Sequence, residues 1–149
     1  MVTKTKEHIL SKLEPELSSR PEILFAYLFG SVAGGTANRL SDIDLAVYLD
    51  PGYRHQDRGY GYQSELITEL SALLSTPVDA VILNTASTVL KYQVIKNGIL
   101  IFSRSNEVRR GFHEKTVRDY LDLKPLLKVQ QQCLRKRFSN LSAGGGQTA

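Results

Sequence analysis

Asp42 and Asp44 stand two residues apart at the head of an otherwise apolar run, Asp42-Ile43-Asp44-Leu45-Ala46-Val47. Side chains of a strand alternate, so both carboxylates face the same side. Two like charges together on a strand repel unless a cation joins them. Hard oxygen ligands in this arrangement suit magnesium better than zinc, above all where substrate phosphates complete the octahedron. Upstream, Gly30-Ser31 directly follows the apolar run Ile23 to Phe29. A glycine there lets a phosphate approach the backbone closely. Exposed amides and the Ser31 hydroxyl can then donate hydrogen bonds to it. A third carboxylate, Asp79, lies in Val78-Asp79-Ala80-Val81. If its strand neighbours that of Asp44, three carboxylates converge. Two metal ions held by them would clamp the attacking and leaving oxygens of an in-line phosphoryl displacement. Asp79 is the natural general base for an attacking hydroxyl.

The elements that position these residues follow from periodicity. Ile9, Leu10, Leu13 and Leu17 repeat at helical spacing, so a helix is expected over Thr3 to Ser18, perturbed or shortened by Pro15. Ile23 to Phe29 reads as a buried strand. Val32 to Leu40 reads as a turn with one loose helical turn, and Asp42 to Tyr48 as a second strand. After the turn signal Asp50-Pro51-Gly52, the segment Tyr53 to Gly61 is expected to be a mobile loop. Ser64 to Leu74 is an amphipathic helix. Pro77 to Leu83 is a third strand with proline at its permitted first position. A helix over Thr85 to Lys96 closes at Asn97-Gly98 and leads to a short fourth strand, Ile99 to Phe102. From Asn106 to Leu141 the pattern is helical with an interruption at Pro125, and Ser142 to Ala149 reads as a disordered tail. The expected fold is α/β or α+β. One small mixed sheet of about four strands is covered mainly on one side, and C-terminal helices follow.

Composition limits the alternatives. The chain has 149 residues, 42% of them hydrophobic and 23% charged, so a single globular domain over residues 1–141 is expected. Its core would span about 20–103 and its C-terminal helices about 106–141. A single cysteine, Cys133, cannot form an internal disulfide, which fits a reducing cytoplasm. No apolar run approaches the ~20 residues that span a bilayer. No Gly-Lys-Ser/Thr follows the glycines, so they form no P-loop. His8, His55 and His113 lack metal-ligand spacing. Arg104 to Arg137 contains ten basic residues against Glu107, Glu114, Asp119 and Asp122. That segment is therefore +6 within a chain of net +4, and the remainder is −2. Such a segment is a solvated face or a docking face for an acidic surface. No aromatic-and-basic RNA-binding signature accompanies it, so nucleic acid is not an expected partner.

The segment Gly30-Ser31, ten residues, then Asp42-Ile43-Asp44 resembles the signature of the DNA polymerase β-like nucleotidyltransferases. More narrowly, Gly30-Ser31-x-Ala33-x-Gly35 with Ser41-Asp42-x-Asp44-Leu45 is similar to the minimal nucleotidyltransferases, a group that includes MntA-type antitoxins of HEPN ribonuclease toxins. The run Arg118 to Leu127 also resembles the C-terminal region of that antitoxin group. Gly34 departs from it, because a basic residue is frequent there. The resemblance implies a nucleotidyltransferase fold and magnesium, as two ions, held by Asp42, Asp44 and Asp79. It implies ATP bound at Gly30, Ser31 and Ser41. The implied activity is transfer of AMP to a hydroxyl, a tyrosine of a partner HEPN toxin. A short chain leaves little room for an acceptor domain, and the basic helices would dock that partner. Two other readings stand beside this one: the same chemistry on an antibiotic or RNA, and a non-catalytic antitoxin that neutralises by binding.

Overall fold

The computed structural model describes residues 6–33, 42–53 and 61–145. Helix α1, Lys6–Ser18, buries Ile9, Leu13 and Leu17, which recur every fourth residue and so share one face. Pro15 stays inside the helix. The carbonyl it leaves without a helical partner is that of Ser11, an exposed residue, so water can take it. Strand β1, Ile23–Phe29, is followed at once by the single turn α2, Gly30–Ala33. Strand β2 is Ile43–Leu49, with Asp42 just ahead of it. Helix α3, Gly61–Leu74, begins three residues earlier than the amphipathic pattern suggested. The loop expected over Tyr53 to Gly61 falls mostly outside the described residues.

Strand β3, Val78–Ile82, ends in a 3₁₀ turn, Leu83–Thr85, before helix α4, Thr88–Asn97. The helix expected from Thr85 therefore starts three residues later, at Thr88. Ser87 sets that start, because its hydroxyl accepts from the Leu90 amide at 3.2 Å. Strand β4, Ile99–Ser103, leads into α5, Asn106–Gly145. Here α5 runs unbroken through Pro125, where an interruption was expected. The carbonyl that Pro125 frees belongs to Leu121, which is exposed, so water can take it. The helix also takes in residues 142–145, four residues of the expected tail. Residues 146–149 lie outside the described residues. No helix among the described residues is long and apolar enough to cross a membrane.

The four strands form one sheet in the order β3-β2-β1-β4. β1 pairs antiparallel with β2 and β4, and β2 pairs parallel with β3. Helices cover both faces, where mainly one was expected. The reason lies in β1, which is apolar on both sides. Ala26 and Leu28 join the layer packed by α1 and α3. Phe25 and Tyr27 join a second layer with Val94 of α4 and Phe112 of α5. A bulge at the start of β1 sets this alternation. Ile23 lies opposite Leu49 and Phe25 opposite Tyr48, so Leu24 is the extra residue. The Phe25 ring stacks on Tyr48 at 4.8 Å and tilts against Phe112 at 5.4 Å. At that end the Asn84 amide side chain accepts from the Leu49 N–H at 2.9 Å and donates to its carbonyl at 2.8 Å.

Arg104 joins β4 to the turn between α1 and β1. Its guanidinium donates to the carbonyls of Ser18 at 2.7 Å, Arg20 at 3.1 Å and Ile23 at 3.2 Å. Removing a charged donor from three carbonyls costs roughly 1–3 kcal/mol. Arg104→Ala is expected to lower the thermal midpoint by several degrees. An unchanged midpoint in a calorimetric scan would refute this role.

Candidate active site

Asp44 is the second residue of β2, and the register of the sheet surrounds it. Across the antiparallel pair it faces Phe29, the last residue of β1. Across the parallel pair it is level with Asp79, the second residue of β3. In-register neighbours on adjacent strands project from the same face. Asp42, two residues before Asp44, brings a third carboxylate to the same edge. The condition left open by the sequence, that the third strand neighbours the second, is thus met. Asp44 is half-buried, whereas Asp42 and Asp79 are exposed.

This face is the one that α4 and α5 cover over Phe25, Tyr27 and Ala46. Asp44 lies at the end of β2 opposite the Leu49–Asn84 closure, beyond that cover. Its carboxyl is held above the ordinary carboxylate range, first by burial, then by the charges of Asp79 and Asp42. The arrangement is therefore electrostatically unfavourable as it stands. Among the described residues the ion pairs are those of Arg20 with Glu16 and Glu69, and no lysine or arginine pairs with the three aspartates.

Gly30 closes the site from the β1 side. It has φ of 76°, the left-handed region that side chains rarely adopt. A Cβ built on it would collide with Asp44 Oδ2. From sequence this glycine serves the approach of a phosphate; its close approach to the Asp44 carboxylate emerges only in the fold. The sequence signal is only a glycine directly after a strand; that Phe29 pairs with Asp44 is seen in the sheet register. Ser31 follows in α2, and Ser41 lies outside the described residues.

Three other features lie elsewhere. Tyr53 and Tyr62 meet edge to face at 5.8 Å, and the Tyr62 hydroxyl donates to Glu22 at 3.0 Å. Burial, followed by the Glu22 carboxylate, pushes the Tyr62 phenol well above its usual range. Pro21, Glu22, Asp50, Gly52 and Tyr53 line a cleft of about 360 Å³ at the Leu49 end of the sheet, away from Asp44. Cys133 is exposed on α5.

An all-oxygen donor set with excess negative charge fits a hard divalent cation. Among the described residues no group of three or more His, Cys, Asp or Glu is gathered tightly enough to hold a metal ion by itself. Magnesium is usually bound through one or two carboxylates together with substrate phosphates.

The family model described as polymerase beta, nucleotidyltransferase, matches residues 11–107. Protein adenylyltransferase MntA of Shewanella oneidensis strain MR-1 is 41% identical over 78 residues, which is 52% of each chain. The chain thus spans about half the length of the curated relative it matches. Over longer stretches it is similar to solved structures. One is a toxin–antitoxin complex with AMP-PNP, with TM-score 0.70 and 30% identity, covering 87% of this chain and 98% of the matched one. Another is a tri-AMPylated Shewanella oneidensis HEPN toxin in complex with MNT antitoxin, with TM-score 0.68, 26% identity and the same coverage. The sheet that levels Asp44 with Asp79, the glycine turn against Asp44 and the family match all converge on one conclusion: the chain belongs to the polymerase β nucleotidyltransferase family and is similar to its minimal, MntA-type members.

Proposed function

We propose that this chain is a magnesium-dependent adenylyltransferase of the cytoplasm. It moves AMP from ATP to a tyrosine hydroxyl of a partner HEPN toxin and so acts as the antitoxin. The observation that carries the reading is the register that levels Asp44 with Asp79, with Gly30 packed against Asp44. The likeness to a complex holding AMP-PNP and to one holding an AMPylated HEPN toxin supports the nucleotide and the acceptor.

Asp42 and Asp44 would hold the metal, joined by Asp79 for a second ion. Bound magnesium neutralises phosphate charge and lowers the cost of charge building on the leaving oxygen. The rest falls to the chain. The triphosphate would lie along the turn that starts at Gly30 and accept hydrogen bonds from backbone amides, with the roles of Ser31 and Ser41 assigned by the family resemblance. The acceptor hydroxyl oxygen attacks the α-phosphorus. The bond from that phosphorus to the bridging oxygen breaks, and pyrophosphate leaves with the electron pair. Asp79 accepts the hydroxyl proton. Positioning and charge neutralisation do most of the catalysis.

The test follows α-labelled ATP in a mixture of this chain, magnesium and the HEPN toxin. Label is expected on the toxin, at tyrosine by mass spectrometry. Asp79→Asn is expected to slow labelling by about 10²-fold or more, the usual share of a general base, while toxin binding persists. Label appearing on RNA or on a small molecule instead would remove the antitoxin assignment and keep the chemistry. Full toxin neutralisation by an unlabelled complex would favour a binding module.

A further inference from the structure

We infer that the distal half of α5 is a partner-dependent helix whose bare apolar stripe seats in a hydrophobic groove with an acidic rim on a partner protein. One stripe of α5 runs Phe112, Thr116, Tyr120, Leu123, Leu127, Leu134 and Phe138, all but Thr116 apolar or aromatic, while the exposed Leu126 and Val129 lie off it. Spacings of three, four and seven keep them on one face. The proximal part of this stripe is covered. Phe112 packs on Phe25 and Tyr48, Thr116 is buried, and Tyr120 stacks on Tyr92 with centroids 3.7 Å apart. The distal part is bare: Leu134 is 51% exposed and Phe138 is 68% exposed. Every described side chain from Lys128 to Asn140 is exposed.

The distal half extends a helix whose proximal part is docked, so nucleation is already met, but propagation with no packed face is only marginally favourable in water. Pro125 adds to the deficit by removing a hydrogen bond. The distal half therefore needs something against its apolar face. Charge identifies what that is. Between Leu123 and Leu141 stand Lys124, Lys128, Arg135, Lys136 and Arg137, with no Asp or Glu. Lys124, Lys128 and Arg135 fall on one flank of the stripe and Arg137 on the other. A second copy would bring like charges together, which disfavours self-pairing. A nucleic acid would meet the charges and leave the leucines and Phe138 wet. An apolar groove with acidic edges satisfies both features, in the helix-in-groove mode of recognition. The inference rests on the antitoxin reading only for the identity of that partner, the HEPN toxin.

The test uses the full chain and the HEPN toxin. Hydrogen exchange of amides 126–140 is expected to slow at least tenfold on complex formation. Leu134→Asp with Phe138→Asp is expected to weaken toxin binding by about 30-fold or more, as loss of buried anchors does. Lys124→Glu, Lys128→Glu and Arg135→Glu together should weaken it tenfold and remove most of its salt dependence. The thermal shift given by magnesium and ATP should stay at the wild-type value in both sets. An unchanged Kd for the double aspartate variant overturns the inference. So does equal protection of these amides in the free chain, a dimer split by that variant, or protection by single-stranded RNA. Wild type that binds the toxin but transfers no label leaves the inference standing and removes the adenylyltransferase reading. Wild type that does not bind the toxin removes both.

Discussion

Asp44→Asn is expected to reduce AMP transfer by about 10³-fold or more, roughly 4 kcal/mol of barrier, and at the same time to stabilise the fold at neutral pH. The two effects share one origin. Asp44 is raised above its ordinary value of 3.8 by burial and then by Asp79 and Asp42. A carboxyl whose folded pKa exceeds its unfolded one contributes stability fully present below the unfolded value. That stability is lost as pH rises through the folded value. Above this window, at pH 7, the charged Asp44 is a cost carried by the native state. The isosteric amide removes it. Asp44 is substantially solvated, so screening limits the gain to about 1 kcal/mol or less. The acid branch of the stability–pH curve should flatten in the variant. Magnesium with ATP should raise the thermal midpoint of wild type, because ligand binds only the native state, and leave the variant unmoved. A variant less stable than wild type at pH 7 would show that the three carboxylates do not repel in the folded protein. Retained transfer would remove Asp44 from the metal site.

Local pattern was enough for much of this site. The Asp-x-Asp pair is legible because a strand has a period of two, and Ile43, Leu45 and Val47 mark its buried side. The glycine after β1 is legible as punctuation. The pairing of Asp44 with Asp79 is not, because parallel neighbours are set by a crossover through α3 and the choice of edge is non-local. The same holds for β4, which lies on the far side of β1 although it comes last in the chain. Phe25 and Tyr27 signal a second covered face only once Phe112, far along the sequence, is known to lie against them. Pro125 misleads for a different reason. The helix-breaking rule weighs a lost hydrogen bond, but Leu121 is exposed and its carbonyl can turn to water.

Gly30 separates what holds the fold from what holds the site. Gly30→Ala should destabilise the protein by roughly 1–2 kcal/mol, because alanine at φ of 76° is strained. It should also lower transfer by about 10²-fold, since misplacing a reacting group by an ångström costs that much. The second effect has its own cause. The new Cβ would overlap Asp44 Oδ2, and the carboxylate would swing away from Asp79 and Asp42 to relieve it. Rotating an aspartate is cheap for the fold and ruinous for a ligand. Gly30→Asn distinguishes the two causes, because asparagine tolerates left-handed backbone better than alanine but carries the same Cβ. Its stability should recover most of the way to wild type, while its transfer rate stays as low as that of the alanine variant. If activity recovers together with stability, backbone strain alone explains Gly30, and the close approach to Asp44 has no part in positioning the proposed metal ligand.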